Sequence, residues 1–153
     1  MKGRLNMKKL VSITLVFCLL LSMTAFAANT EIYINGEKAA IAEGMGSIVE
    51  KDNRTFVPIR FLLEHFQYQV SWQDAEQMVF GAGPNGEIFV MQVGSELLFF
   101  KDAENNEKKI TMDVSPFLNL AEGRTYVPIR FIADAMGYEV GWDGATQTVT
   151  LTK

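Results

Sequence analysis

The sequence is poor in the residues on which many small functional sites depend. It has one cysteine and one histidine among 153 residues, and Cys18 lies within the first 27. Once those 27 residues are removed, no disulfide can form, and sites built from cysteine or from several histidines are excluded. We therefore expect no metal, no cofactor and no catalytic residue. The hydrophobic core alone must hold the chain together.

Long apolar runs are also scarce. The stretch from Leu10 to Leu21 is followed by Ala25-Phe26-Ala27 and preceded by basic residues. It is too short for a membrane-spanning helix, which needs about 20 apolar residues, and its flanks are typical of a secretory signal peptide. Residues 1–27 are predicted to be that peptide, with no stable membrane insertion after cleavage. An uncleaved anchor stays open, since Ser22 to Ala28 would lengthen the apolar segment.

Positive charge is sparse beyond this segment. All 18 acidic residues follow Ala27, whereas four of the 14 basic residues precede it, which leaves ten basic residues and a net charge of −8. Such a chain is not expected to bind nucleic acid, which requires a cationic surface. No basic cluster is present to hold it on an anionic membrane.

An internal repeat organises the rest of the chain. Residues 54–61, Arg-Thr-Phe-Val-Pro-Ile-Arg-Phe, recur at 124–131 with seven of eight residues identical. The match continues at the same spacing through Tyr68/Tyr138, Val70/Val140, Trp72/Trp142, Ala75/Ala145, Gln77/Gln147 and Val79/Val149. A glycine-rich stretch at 81–86 separates the copies. We predict a first repeat over residues 28–83 and a second over 84–153.

Each copy predicts a strand, a short helix and a hairpin. Pro58 and Pro128 keep the preceding residue extended and fit the first turn of a helix. Apolar residues then recur at helical spacing: Ile59, Leu62, Leu63 and Phe66, and again Ile129, Ile132, Ala133 and Met136. Gly137 follows the second stripe as a left-handed cap. Because Gln67 takes that place in the first copy, its helix end is expected to be less well formed.

Alternating residues after each helix predict hairpins that turn at 74–76 and 143–145. Earlier strand candidates lie at 31–35, 38–42 and 46–49. The predicted fold class is therefore α+β, with two tandem repeats, each an antiparallel sheet of about five strands wrapped on one short helix.

The repeated motif resembles a known family. The order Asn-Gly, Arg-Thr-Phe/Tyr-Val-Pro-Ile-Arg-Phe, short helix, Tyr-x-Val-x-Trp and closing hairpin resembles the copper amine oxidase N-terminal-like domain, also called the stalk domain. The resemblance covers both copies from about Glu31 and implies five antiparallel strands on a helix, often in secreted bacterial proteins. It does not imply amine oxidation, since copper and the quinone of those enzymes belong to a separate domain. His65 alone cannot build a three-imidazole copper site.

Arg60 and Arg130 occupy equivalent helix positions, each four residues before an acid, Glu64 or Asp134. A positive charge near a helix start gains nothing from the helix dipole, so another reason for each arginine is needed. The favoured prediction is a tertiary ion-pair partner, and the alternative is contact with an anionic ligand.

Five aromatic residues are candidates for core or contact positions. Trp72 and Trp142 fall at inward-alternating positions and are predicted in the core rather than as platforms for sugars. Tyr33, Phe99 and Phe100 are predicted to be more exposed. Two adjacent phenylalanines make both faces of one strand apolar, which indicates an interface.

Three further candidate sites have simpler interpretations. His65 corresponds to Ala135 in the second copy, so it is predicted to be a surface residue. The run Asp102 to Asn106, with Asp113 beyond it, has alternating oxygen ligands as in a calcium loop, but Glu107 stands where such a loop turns on glycine. An exposed hairpin turn is favoured. Carboxylate pairs for glycoside hydrolysis cannot be recognised from sequence alone.

These observations predict a secreted or cell-surface, non-catalytic binding or scaffold module. Its expected partner is a cell-envelope polymer or protein, contacted through Arg60, Arg130, Tyr33, Phe99 or Phe100. A structural spacer or homo-oligomerisation domain is the first alternative, and a small extracellular hydrolase is the second.

Overall fold

The computed structural model describes residues 29–153, so the predicted signal peptide lies outside the described part. In chain order the elements are β1 (Glu31–Ile34), β2 (Glu37–Lys38), β3 (Val49–Lys51), β4 (Arg54–Pro58), α1 (Ile59–His65), β5 (Gln69–Gln73), β6 (Met78–Ala82), β7 (Ile88–Gln92), β8 (Leu97–Lys101), β9 (Glu107–Thr111), β10 (Phe117–Asn119), β11 (Arg124–Pro128), α2 (Ile129–Ala135), β12 (Glu139–Asp143) and β13 (Thr148–Thr152). The α+β class is confirmed. Within residues 29–153, neither helix has the length and apolarity to cross a membrane.

The strands form three sheets rather than one sheet for each repeat. One sheet has the order β5-β6-β7-β8-β9, and every neighbouring pair in it is antiparallel. The first two of its strands precede the glycine-rich stretch at 81–86 or run into it, and the other three follow it. The closing hairpin of the first copy therefore shares a sheet with the opening strands of the second.

A second sheet, ordered β12-β13-β1-β2, also contains strands of both copies. Its β1 and β2 come from the first copy, and its β12 and β13 form the closing hairpin of the second. Here β1 pairs with β13 in parallel, with Ile32 opposite Val149 and Ile34 opposite Leu151. The prediction of purely antiparallel pairing is wrong at this point. A four-residue strand followed by the two-residue β2 cannot bury its own apolar face. Pairing with the open edge of β13 satisfies its backbone and brings Ile32 into the core.

The third sheet joins the equivalent strands of the two copies in the order β10-β11-β4-β3. β4 and β11 are antiparallel, with Val57 opposite Val127 and both fully buried. Since these valines hold the same position in the repeated sequence, a local twofold axis relates the two halves at this pair. Each strand ends in the proline that begins its helix, as the sequence predicts.

The two helices pack their apolar stripes into one core with the inner faces of the sheets. Of the predicted stripe residues, seven are buried and Phe66 is half-buried: Ile59, Leu62, Leu63, Ile129, Ile132, Ala133 and Met136. A smaller aromatic group lies apart from this core. Phe117 stacks on Tyr126 with ring centroids 5.3 Å apart and contacts Phe56 at 5.2 Å.

Both helices end in the same hydrogen-bonded motif. Gln67 adopts a left-handed φ of 63°, close to the 79° of Gly137. Its N–H donates to the Glu64 carbonyl at 2.9 Å, and the next N–H, of Tyr68, donates to Leu63 at 2.8 Å. The second helix repeats both bonds at 3.0 and 2.9 Å. The expectation of a less well-formed first end is wrong, because the cap bonds hold Gln67 in a conformation that glycine adopts more readily.

Candidate binding grooves

The two tryptophans lie on the predicted face of their strands but are not buried. Trp72 is opposite Val79 and Trp142 is opposite Val149, and both valines face the core. The tryptophans are nevertheless 37% and 46% exposed. The prediction of buried tryptophans is wrong because β5 and β12 are edge strands. Their inner faces continue past the core and open onto grooves.

The first groove has a volume of about 390 Å³ and draws residues from both copies. The first copy contributes Pro58, Ile59, Arg60, Val70, Ser71, Trp72, Asp74 and Val79. The second copy contributes Leu118, Gly123, Arg124 and Thr125. The groove thus combines the indole of Trp72 with two arginines, Arg60 and Arg124, that come from different halves of the chain.

The second groove, of about 410 Å³, is the twofold counterpart of the first. Its residues from the second copy are Pro128, Arg130, Val140, Gly141, Trp142 and Val149, and those from the first are Glu50, Asn53, Arg54 and Thr55. Tryptophan, helix arginine and strand arginine recur at equivalent positions. Both volumes fall within the range of small-molecule sites, about 300–1,000 Å³.

Polar contacts within the first groove occupy most of its charged groups. The indole N–H of Trp72 donates to the carboxylate of Asp74. Arg124 donates to the backbone carbonyl of Gly44, on the loop before β3. Arg60 lies 3.8 Å from Glu64, measured from Nε to Oε1, in an exposed pair of the kind that contributes little to stability.

The second groove leaves its helix arginine open. Arg54 is held by Asp113, whose pKa is lowered by this guanidinium, with Nε 3.3 Å from Oδ1. Glu50 accepts hydrogen bonds from the hydroxyls of Thr55, at 2.8 Å, and Thr30, at 3.2 Å. For the exposed Arg130, no side-chain hydrogen bond or ion pair is found within residues 29–153.

Arg60 thus pairs with Glu64 at the i,i+4 spacing that the sequence permits, and no tertiary ion pair of Arg60 or Arg130 is found within residues 29–153. The tertiary partners that exist belong instead to Arg54, which pairs with Asp113, and to Arg124, which bonds to a carbonyl. Sequence reasoning did not single out these two strand arginines, although each opens the repeated eight-residue block. Their place at the start of that block was the signal that could have found them.

The remaining predicted contact residues do not lie together. Tyr33 is half-buried, and its hydroxyl donates to Glu31 at 3.2 Å. Phe99 is 46% exposed on the outer face of the five-stranded sheet, opposite Lys109. Phe100 is only 4% exposed and lies in the core, because alternate residues of β8 point inward. Its prediction as an exposed contact is thus corrected.

The residues weighed as other sites take ordinary structural roles. His65 is exposed on α1, as predicted. Asp102 closes the β8–β9 hairpin by accepting the backbone N–H of Asn106 at 2.8 Å, and its pKa is lowered chiefly by a second hydrogen bond from the Asn106 side-chain amide. Since Asp113 is paired with Arg54 on another part of the surface, the two acids do not share a calcium loop. The exposed-turn prediction for this segment is confirmed.

The fold and its paired grooves define a small, sheet-rich module in which a repeated sequence block forms equivalent strands and helices. Comparison with protein-family models places it more closely. The chain belongs to the copper amine oxidase N-terminal domain family, whose model matches residues 33–151. This family is a non-catalytic, stalk-like domain. Searches of curated proteins and of solved structures found no match.

The copper in the family's name does not fit the residues present. The chain has a single histidine, which is exposed on α1, so no set of imidazoles can surround an ion. Among residues 29–153, no three His, Cys, Asp or Glu side chains converge as a ligand set. The acids nearest to the grooves are engaged in hydrogen bonds to Trp72, Thr55 and Thr30.

Proposed function

We propose that this protein is a secreted, non-catalytic module that binds a polymer of the cell envelope through its two grooves. The observation that carries the proposal is the recurrence of an exposed tryptophan beside an exposed helix arginine in both grooves. Neither helix arginine has a tertiary partner within the described residues, so their retention at equivalent positions is not explained by folding.

The chemistry of each groove suits a saccharide. An indole presents a flat apolar face that stacks on the C–H face of a sugar ring, and guanidinium donors bond to hydroxyl, carboxylate or phosphate oxygens. An indole side chain has only two rotatable bonds, so little side-chain entropy is lost on binding.

Binding without turnover is supported by the acids that line the grooves. Each lining contains a single carboxylate, Asp74 in the first groove and Glu50 in the second. Glycoside hydrolysis uses two carboxyl groups, about 5–10 Å apart, on opposite sides of the scissile bond. Both acids already accept hydrogen bonds from neighbouring side chains. These contacts favour a binding role over hydrolase activity.

A sedimentation assay with purified cell-wall material tests the proposal. The double variant W72A/W142A should lose at least tenfold in affinity, since central aromatic contacts contribute about 2 kcal/mol or more. F99A is the matched control, because it removes an exposed aromatic outside both grooves. Equal binding by wild type and W72A/W142A, or no binding by wild type, would contradict the proposal.

Export is a separate element of the proposal and rests on residues 1–27. The expected mature protein begins at Ala28. Mass spectrometry of protein recovered from culture medium and from the cell surface checks this point directly. Full-length protein retained inside the cell would contradict it.

A second candidate, self-association, is favoured by the outer face of the five-stranded sheet. Ile88, Leu97 and Phe99 are each 41–46% exposed and lie on adjacent strands. An apolar stripe of this kind can pair with its copy in another molecule. Light scattering should then show a dimer that F99K dissociates. A monomer at high concentration removes this candidate and leaves groove binding intact.

A further inference from the structure

The two grooves differ at one position beside the tryptophan. Asp74 and Gly144 are equivalent in the repeat, two residues after Trp72 and Trp142. In the first groove the Asp74 carboxylate accepts the indole N–H. In the second groove a Cβ added to Gly144 would lie 3.5 Å from Nε1 of Trp142, and no carboxylate within residues 29–153 accepts the indole N–H. The neighbouring Asp143 carboxylate instead accepts the backbone N–H groups of Ala145 and Thr146. The indole N–H of the second groove is therefore open to a ligand.

The helix arginines of the two grooves also differ in whether they pair with an acid. Arg60 lies beside Glu64, whereas Arg130 forms no ion pair with the equivalent Asp134. Among the described residues that line the second groove, Glu50 is the single acid; it lies on β3 and accepts hydrogen bonds from two threonine hydroxyls. The tryptophan end of the second groove thus presents a guanidinium and an N–H donor, and neither is hydrogen-bonded or ion-paired to a carboxylate within residues 29–153.

We infer that the second groove binds the anionic group of an acidic glycan, with the sugar ring stacked on Trp142 and the charge on Arg130. The first groove takes an uncharged ring, because Asp74 repels an anion at the same place. This inference rests on the proposed function and assigns its ligand class. A carboxylate and a phosphate share the required chemistry, since both present paired oxygens to guanidinium.

Exchanging the distinguishing residues tests the inference. The probes are oligogalacturonate and the neutral oligogalactose of the same length, measured by calorimetry. Wild type should bind the acidic oligomer at one site. G144D should weaken that binding at least tenfold and leave the affinity for the neutral oligomer unchanged. D74G should add a second site for the acidic oligomer.

G144N is the matched control, because it adds similar volume without charge. A Cβ at this position meets only ordinary van der Waals contact, so neither substitution introduces a clash at the backbone. A phosphorylated dextran provides the second arm. Competition by it against oligogalacturonate on wild type identifies phosphate as an accepted group, and absence of competition restricts the site to carboxylates.

Equal affinity of wild type for both oligomers, or equal effects of G144D and G144N, overturns the inference. So does a wild type that binds neither oligomer. Cell-wall binding that depends on the tryptophans but is indifferent to residue 144 overturns the ligand class alone and leaves the proposed function standing. Absence of cell-wall binding by wild type would contradict both the ligand class and the proposed function.

Discussion

The ring of Phe66, at the end of α1, stacks on the ring of Tyr138, which precedes β12, with centroids 4.6 Å apart. Lys153 also lies over the Tyr138 ring, with its Nζ 5.2 Å from the ring centroid. The first helix is thereby joined to the second hairpin. Together with the exchanged strands, this contact makes the stability of one half depend on the other.

A double-mutant cycle on F66L and Y138L should reveal this dependence. We expect a coupling energy of about 0.5–1.5 kcal/mol, the usual contribution of a stacked aromatic pair beyond its buried area. Urea unfolding of the two single variants, the double variant and wild type gives the value. Additive losses would show that the rings do not interact.

A second prediction concerns the exchanged strand. Ile32 lies in β1 but is buried beside Val149 of β13, so I32A should destabilise the second hairpin by about 2–4 kcal/mol. In a W72F background, the emission of Trp142 should report the shifted urea transition. I32V, which removes one methyl group, should shift it by roughly 1 kcal/mol. An unchanged Trp142 transition in I32A would mean that β1 does not stabilise this sheet.

The helix caps provide a third prediction. Gln67 holds a left-handed φ of 63° that a side chain disfavours, so Q67G should stabilise the protein by roughly 0.5–1 kcal/mol. The reciprocal change G137Q should destabilise it by a similar amount. No steric clash complicates G137Q, because a Cβ there is 3.9 Å from its nearest neighbour. Thermal melts that move in the same direction for both variants would contradict this account.

The fourth prediction is a loss of stability at alkaline pH. Burial, aided by the Glu87 carboxylate, raises the pKa of Tyr68 to about 12, whereas an unfolded tyrosine ionises near pH 10. The neutral Tyr68 side chain therefore makes its full contribution to the free energy of unfolding below pH 10. This contribution, about 2 kcal/mol, is lost as the pH rises toward 12. Y68F should match wild type at pH 8 and be more stable at pH 11. If Y68F lost the same amount of stability at alkaline pH, the loss would come from ionisable groups other than Tyr68.

Much of the local structure was predictable because it depends on short-range physics. Pro58 and Pro128 begin their helices, and the apolar spacing after each proline selects the buried face. The partner of β1 was not predictable, since strand pairing over more than 100 residues depends on which edge stays open after the local hairpins form. The alternation of Trp72 likewise defines a face but not whether that face is covered.

The candidate site shows the same difference between features set by local sequence and features set by long-range pairing. Sequence reasoning identified both helix arginines and offered an anionic ligand as the alternative explanation for them. It did not find the strand arginines or the difference between Asp74 and Gly144, because their significance depends on which residues the twofold arrangement brings beside each tryptophan.

The parallel pairing of β1 with β13 also decides how the molecule responds to force. The backbone of Asn35 donates to Leu151 at 2.8 Å, that of Glu31 donates to Gln147 at 3.0 Å, and that of Lys153 reaches the Asn35 side chain at 2.9 Å. Tension applied through the segments before β1 and after β13 pulls two parallel neighbours in opposite directions. Their backbone hydrogen bonds are then loaded together in shear rather than opened one by one.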